Sequence, residues 1–194
     1  MIIYKKMVSS SENDPVTSST VNKATLNYTL LVVTKLLHEL QLTKWFIGYG
    51  TLLGIVRGGE CIEGDDDVDI VCDKEDFDKL KQGLEDAGFT FCYDFLIGDS
   101  RNIIKTNETD QYCSVDFYMA TVDEESGDYH DQWERVIWSN CYGKSGEKEM
   151  LTREWRDSLL LLPHDYETKL ENRYGTEWMT PQKSKGPKPP KTKI

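Results

Sequence analysis

Gly64-Asp65-Asp66-Asp67-Val68-Asp69-Ile70-Val71-Cys72 runs from a cluster of acids straight into an alternating, apolar strand. Successive side chains of a strand point to opposite faces, so Asp67 and Asp69 share one face, about 7 Å apart along the chain. Val68, Ile70 and Cys72 then line the other face, towards a core. Two carboxylates held this way repel each other unless a cation lies between them, and Mg²⁺ or Mn²⁺ with oxygen ligands suits the donor set. A second alternating stretch, Cys113-Ser114-Val115-Asp116-Phe117-Tyr118-Met119, carries a single acid among large apolar residues. If it lies beside the first strand, Asp116 supplies a third carboxylate. A calcium loop starting at Asp65 requires Gly at its sixth position and Glu at its twelfth. The chain has Ile70 and Asp76 there, which excludes an EF-hand. A solvated acidic surface accounts for Asp65 and Asp66 better than for Asp67, Asp69 and Asp116, whose neighbours are apolar.

Upstream, Trp45-Phe46-Ile47-Gly48-Tyr49 reads as a short aromatic strand. Gly50-Thr51 opens a short apolar helix, Leu52 to Arg57, and Gly58-Gly59 ends it. The free N–H groups of such a helix start, with the Thr51 hydroxyl, can hold a phosphate. The order along the chain is phosphate cradle, metal pair, third carboxylate. That layout resembles the nucleotidyltransferase fold of the polymerase-beta type.

The residues also resemble a narrower family. Tyr49-Gly50-Thr51-Leu52-Leu53-Gly54-Ile55-Val56-Arg57, followed by Ile62 and the Asp65–Ile70 run, is similar to the G-T-L-L-G-x-x-R and D-D-D-[IV]-D-I hallmarks of the LicD/fukutin-related family. Leu170-Glu171-Asn172-Arg173-Tyr174-Gly175, with Trp178 and Pro181, resembles its closing motif. The chain departs from the family at Glu63-Gly64, where Pro-Trp is usual. The resemblance implies an α+β fold, a mixed twisted sheet flanked by helices. It implies divalent-metal-dependent transfer of a phosphorylated group, such as phosphocholine or a polyol or sugar phosphate, from a CDP-activated donor to a glycan-type hydroxyl. Asp67, Asp69 and Asp116 become the metal-binding and catalytic carboxylates, with Mg²⁺ or Mn²⁺ as cofactor. Gly50 and Thr51 become the phosphate cradle and Arg57 a phosphate clamp. Asp65 and Asp66 support the ligands or order the loop, and Tyr174-Gly175 reads as a packed helix end. Two alternatives remain. One is a true nucleotidyltransferase moving a nucleoside monophosphate onto a protein or small molecule. The other is a non-catalytic binding module, which would be expected to lack one of the carboxylates.

The rest of the chain bounds these readings. Its 194 residues suit one domain, and 38% hydrophobic residues are enough for a buried core. Five lysines sit in the last twelve positions, so the preceding 182 residues carry 18 basic against 34 acidic side chains, a charge of −16. Such a body repels DNA and RNA, yet can bind a phosphorylated ligand through a divalent cation. No apolar run approaches the ~18 residues of a membrane span, and no signal peptide is visible, so a cytoplasmic location is expected. The cysteines (Cys61, Cys72, Cys92, Cys113, Cys141) have neither zinc-finger spacing nor an even count.

Residues 1–20 read as a flexible lead-in, 21–182 as the domain and 183–194 as a disordered Lys/Pro-rich tail. Within the domain, Leu26, Leu30, Val33, Leu37 and Leu40 mark one helix. Asp73 is expected to cap another, from Lys74 to about Ala87. Extended segments are expected over Phe89 to Leu96, Asn102 to Thr106 and Tyr112 to Met119. Asp123 to Asp131 reads as an acidic loop, and Asp165 to Tyr174 as a last helix.

Overall fold

A computed structural model describes residues 21–98, 100–143, 149–181 and 192–194. The apolar stripe predicted first is helix α1 (Lys23–Glu39), started by Asn22, whose side-chain oxygen accepts from the Thr25 N–H at 2.9 Å. Leu26, Leu30, Val33 and Leu37 are all fully buried. Strand β1 (Trp45–Ile47) and helix α2 (Tyr49–Gly58) follow. Gly59 ends α2 in the left-handed conformation, φ 74°. Strand β2 (Asp67–Asp73) leads into a 3₁₀ turn, Lys74–Asp76, and only then into α3 (Phe77–Asp86). The single helix expected from Lys74 is thus split, because the Asp73 carboxylate accepts from the Glu75 N–H two residues on and tightens the first turn.

The three extended segments are strands β3 (Phe91–Ile97), β4 (Arg101–Thr106) and β5 (Ser114–Asp123). The expected acidic loop is instead a hairpin. Its return strand β6 (Asp128–Asp131) pairs with β5 and with β7 (Val136–Trp138). Gly127, φ 72°, makes the turn, and the Asp123 carboxylate accepts from the Glu125 and Ser126 N–H groups. A second hairpin, β8 (Leu151–Trp155) with β9 (Ser158–Leu162), precedes helix α4 (Tyr166–Tyr174).

The main sheet has the order β1-β2-β5-β4-β3, extended through β5 by β6 and β7. Its two central strands, β2 and β5, are parallel, and the other pairings are antiparallel. The result is an α+β domain, a curled mixed sheet with flanking helices. The parallel pair sets Asp67 opposite Ser114 and Asp69 directly opposite Asp116. Val68, Ile70, Cys72, Val115, Phe117 and Met119 are buried on the reverse face.

The lead-in over residues 1–20 lies outside the described residues. Most of the expected disordered tail does too, but its last three residues correct that expectation. Ile137 N–H donates to Thr192 O at 2.6 Å, and Ile194 N–H to Ile137 O at 2.8 Å. Ile194 is only 3% exposed. The described residues 192–194 are held against β7 by these bonds, by Ser139 N–H donating to Ile194 O, and by the ion pair of Lys193 with Asp128. Ile194→Ala should therefore lower stability by about 2 kcal/mol in urea unfolding, the low end for a buried aliphatic truncation.

Candidate active site

Asp69 is the most constrained of the acids. It is 6% exposed, and each of its oxygens already accepts a hydrogen bond: Oδ2 from Gly50 N–H at 2.9 Å, Oδ1 from the Tyr118 hydroxyl at 3.0 Å. Its own N–H donates to Thr51 Oγ1 at 2.8 Å. The first turn of α2 therefore grips the strand residue from both sides. This revises the cradle expected at Gly50-Thr51. The Gly50 N–H donates to the Asp69 carboxylate and the Thr51 hydroxyl oxygen accepts from the Asp69 N–H, with Thr51 buried in the first turn of α2. The left-handed conformation at this helix start falls on Tyr49, φ 41°. The strain is held by packing. The Tyr49 ring lies 4.6 Å from that of Tyr118 and 5.1 Å from Trp138, and its hydroxyl donates to Asp131. Gly50 is required for another reason. A Cβ there would lie 2.6 Å from Asp65 Oδ2 and 3.2 Å from Asp69 Oδ2.

Asp67 and Asp116 meet at a side chain that the sequence reading did not single out. Lys105 Nζ, from β4, lies 2.6 Å from Asp116 Oδ1 and 3.3 Å from Asp67 Oδ2. The contact with Asp116 Oδ1 is an ion pair without an aligned hydrogen bond, since that buried oxygen has no properly directed donor among the described residues. The signal for Lys105 was a cation directly after the apolar pair Ile103-Ile104, on a strand residue that the structure pairs with Asp116. Burial works against the ammonium, but the close contacts and negative charges of Asp116 and Asp67 outweigh it and raise the Lys105 pKa.

The acids respond to their crowding. Burial, then the charges of Asp67, Asp65 and Asp116, push the Asp69 carboxyl well above the ordinary range. Asp116 is pushed up to about 6, mainly by burial, with Lys105 opposing the rise and Asp67 adding to it. Asp65, Asp66 and Asp67 offer carboxylate oxygens within 4.8 Å of one another, so the loop adds to the negative charge. Asp65, read as a supporting residue, stands against Gly50 at the centre of the site. One ammonium among this many carboxylates leaves the cluster short of positive charge. The three carboxylates whose oxygens gather most closely among the described residues are Asp65, Asp66 and Asp67, an all-oxygen donor set, with Asp116 joined to Asp67 through Lys105. These residues fit a divalent ion.

Arg57 is not brought to the acids. It lies in the last turn of α2, about 10 Å along the axis from Gly50. Its guanidinium donates to the Trp178 carbonyl and so joins α2 to the closing motif. The expected phosphate clamp is here a tie between two segments. Tyr174 ends α4, and Arg173 stacks over the Tyr49 ring at 5.1 Å while pairing with Glu134 at 3.0 Å.

A strand–helix–strand unit that fixes one acid of a D-x-D strand, with a third acid on the adjacent parallel strand, defines a nucleotidyltransferase-fold transferase. The sequence model of the LicD/FKTN/FKRP nucleotidyltransferase domain matches residues 43–158, and the chain belongs to this family. It is an enzyme that transfers phosphate or nucleotide groups. No curated protein matches the chain. Among solved structures, it is similar to the lincosamide antibiotic adenylyltransferase LnuA in its lincomycin-bound form. The two are 16% identical with a TM-score of 0.51, over 73% of this chain and 82% of that one. Terminal uridylyl transferase 4 of Trypanosoma brucei, with bound GTP, shares 12% identity at a TM-score of 0.35, over 52% of this chain and 31% of that one. No helix among the described residues is long and apolar enough to cross a membrane.

If Lys105 occupies ground that a divalent ion needs, removing its charge should help the ion. Lys105→Met should bind Mn²⁺ several-fold more tightly than the parent by calorimetric titration. Its metal-free stability should fall, because Asp67 and Asp116 lose their shared counter-charge.

Proposed function

We propose that the protein transfers a phosphorylated group (phosphocholine, or a polyol or sugar phosphate) from a CDP-activated donor to a hydroxyl of a glycan-type acceptor, with Mg²⁺ or Mn²⁺ held by Asp67, Asp69 and Asp116. The observation that carries this reading is the convergence of Asp67 and Asp116 on one cation, with Asp69 in register beside them. These carboxylates would hold an ion whose chemistry would be to offset the donor's diphosphate charge and to lower the pKa of the attacking hydroxyl. The chain's own groups do the positioning. Gly50 N–H and the Tyr118 hydroxyl fix the Asp69 carboxylate, so it needs no reorganisation when the donor arrives. Asp116, the carboxylate beside Lys105 on the central strand, is placed to take the acceptor's proton. Lys105 is the cation within reach of the donor's charge once its carboxylates engage elsewhere.

A second reading has its own support. The structure most like this one in TM-score among those named above is an adenylyltransferase, so transfer of a nucleoside monophosphate to a small molecule or protein stays in view. The two reactions differ in which phosphorus is attacked. Group transfer from a CDP-linked donor releases CMP, whereas nucleotidyl transfer from a nucleoside triphosphate releases pyrophosphate. A thermal-shift comparison of CDP-choline, CDP-ribitol, CTP, ATP and UDP-sugars with Mg²⁺, followed by mass spectrometry of the released product, separates them. A donor at 100 times its Kd should add about 2.7 kcal/mol of apparent stability. Stabilisation by a CDP-linked donor and release of CMP support the first reading; pyrophosphate release supports the second.

A further inference from the structure

The row of acids does not stop at Lys105. Asp69 pairs with Asp116, Asp116 with Lys105, and Lys105 with Tyr93 on β3. Directly paired residues of neighbouring strands point to the same face. One line across four strands therefore reads carboxylate, carboxylate, ammonium, aromatic ring. Tyr93 is 42% exposed, on the same face as the acids. Its ring lies 5.7 Å from Phe95, two residues on, and 5.9 Å from Trp133. Trp133 comes from the turn between β6 and β7, and its position is not accidental. Its N–H donates to Asp131 Oδ1 at 2.8 Å, and the other Asp131 oxygen accepts from the Tyr49 hydroxyl at the start of α2. The aromatic group and the helix that fixes Asp69 are thus braced through one buried carboxylate.

We propose that Tyr93 and Trp133 form the subsite on which the nucleobase of the donor stacks. This rests on the reading of the protein as an enzyme that uses a nucleotide donor. Tyr93 stands two strand spacings, about 10 Å, from Asp116. A nucleotide whose phosphates lie at the carboxylates and Lys105 extends its ribose towards β3 and lays its base against the exposed Tyr93 ring and the half-buried Trp133 beside it. The order of chemistry along the row matches the order within a nucleoside diphosphate: metal-bound phosphate, phosphate beside a cation, then a flat π-face. Stacking on aromatic side chains tolerates any base. The subsite supplies affinity, while discrimination between bases falls to other groups.

The test compares CDP with inorganic pyrophosphate, which has the phosphates and lacks the base, by calorimetry at saturating Mg²⁺. The parent should bind CDP more tightly than pyrophosphate. Tyr93→Ala and Trp133→Ala should each weaken CDP on the order of 10-fold and leave pyrophosphate unchanged. Trp133→Phe, which keeps a ring and the local packing, supplies a second measurement: CDP, but not pyrophosphate, should quench the part of the tryptophan emission that this variant lacks. Unchanged CDP affinity in the alanine variants, equal weakening of both ligands, or a parent with no preference for CDP overturns the subsite alone. A parent that binds neither ligand overturns the nucleotide-donor reading, and the subsite with it.

Discussion

Asp67→Asn should lower metal-dependent turnover by about 100-fold or more, the scale of losing one electrostatic contact to developing charge in an enclosed site. Stability should stay within about 1 kcal/mol of the parent, because Asp67 is at the mouth of the cluster and its ion pair with Lys105 is partly exposed. The lost charge also relieves repulsion with Asp69 and Asp116. Asp69→Asn should be equally inactive but structurally costlier. Both Asp69 oxygens accept, from Gly50 N–H and from the Tyr118 hydroxyl, and an amide offers one acceptor and one NH₂ in their place. One buried donor then faces another, which costs about 1–3 kcal/mol. Urea unfolding of the two variants beside donor turnover should therefore give equal losses of activity and unequal losses of stability.

Gly50→Val should be nearly as damaging to turnover, again by about 100-fold, for a geometric reason. The new Cβ lies 2.6 Å from Asp65 Oδ2, so that carboxylate must swing away, and 3.2 Å from Asp69 Oδ2, so the hydrogen bond from Gly50 N–H is strained. Displacing a reacting group by an ångström has an effect of this size. The first atom in the way is the end of a side chain rather than backbone. The fold should survive with a loss of about 1–3 kcal/mol, as for other overpacked sites. Thr51→Ser, which keeps the acceptor for Asp69 N–H, should be mild. Circular dichroism and thermal melts of Gly50→Val, with Mn²⁺ affinity measured alongside, check the separation of site damage from unfolding.

The sequence made the acids legible because strand alternation is a short-range rule. Asp67 and Asp69 had to share a face, and Asp116 needed only its strand to lie beside theirs, as it does in direct register with Asp69. Lys105 escaped because its meaning depends on which strand becomes its neighbour, and β4 reaches β5 only through an antiparallel pairing that no local pattern announces. Gly50 and Thr51 were recognisable as important, while their contacts with Asp69 were not legible. A helix start with free donors suggests an external anion, and here the anion is Asp69 itself. The motif fixes the position of Arg57 on α2 and says nothing of Trp178, whose carbonyl it meets more than a hundred residues later. The β5–β6 hairpin was hidden behind the acidic composition of Asp123–Asp131, where Tyr129 and Asp131 turn out to be buried.

The central claim is that Asp67, Asp69 and Asp116 hold a divalent ion for group transfer. Electron paramagnetic resonance of Mn²⁺ titrated into the parent and into an Asp67→Asn, Asp116→Asn double variant measures bound ion without needing the donor or acceptor. The parent should bind Mn²⁺ at a defined stoichiometry, more tightly still with CDP present, and the double variant should lose that binding while remaining folded. Equal Mn²⁺ affinity and stoichiometry in the two proteins would contradict the account.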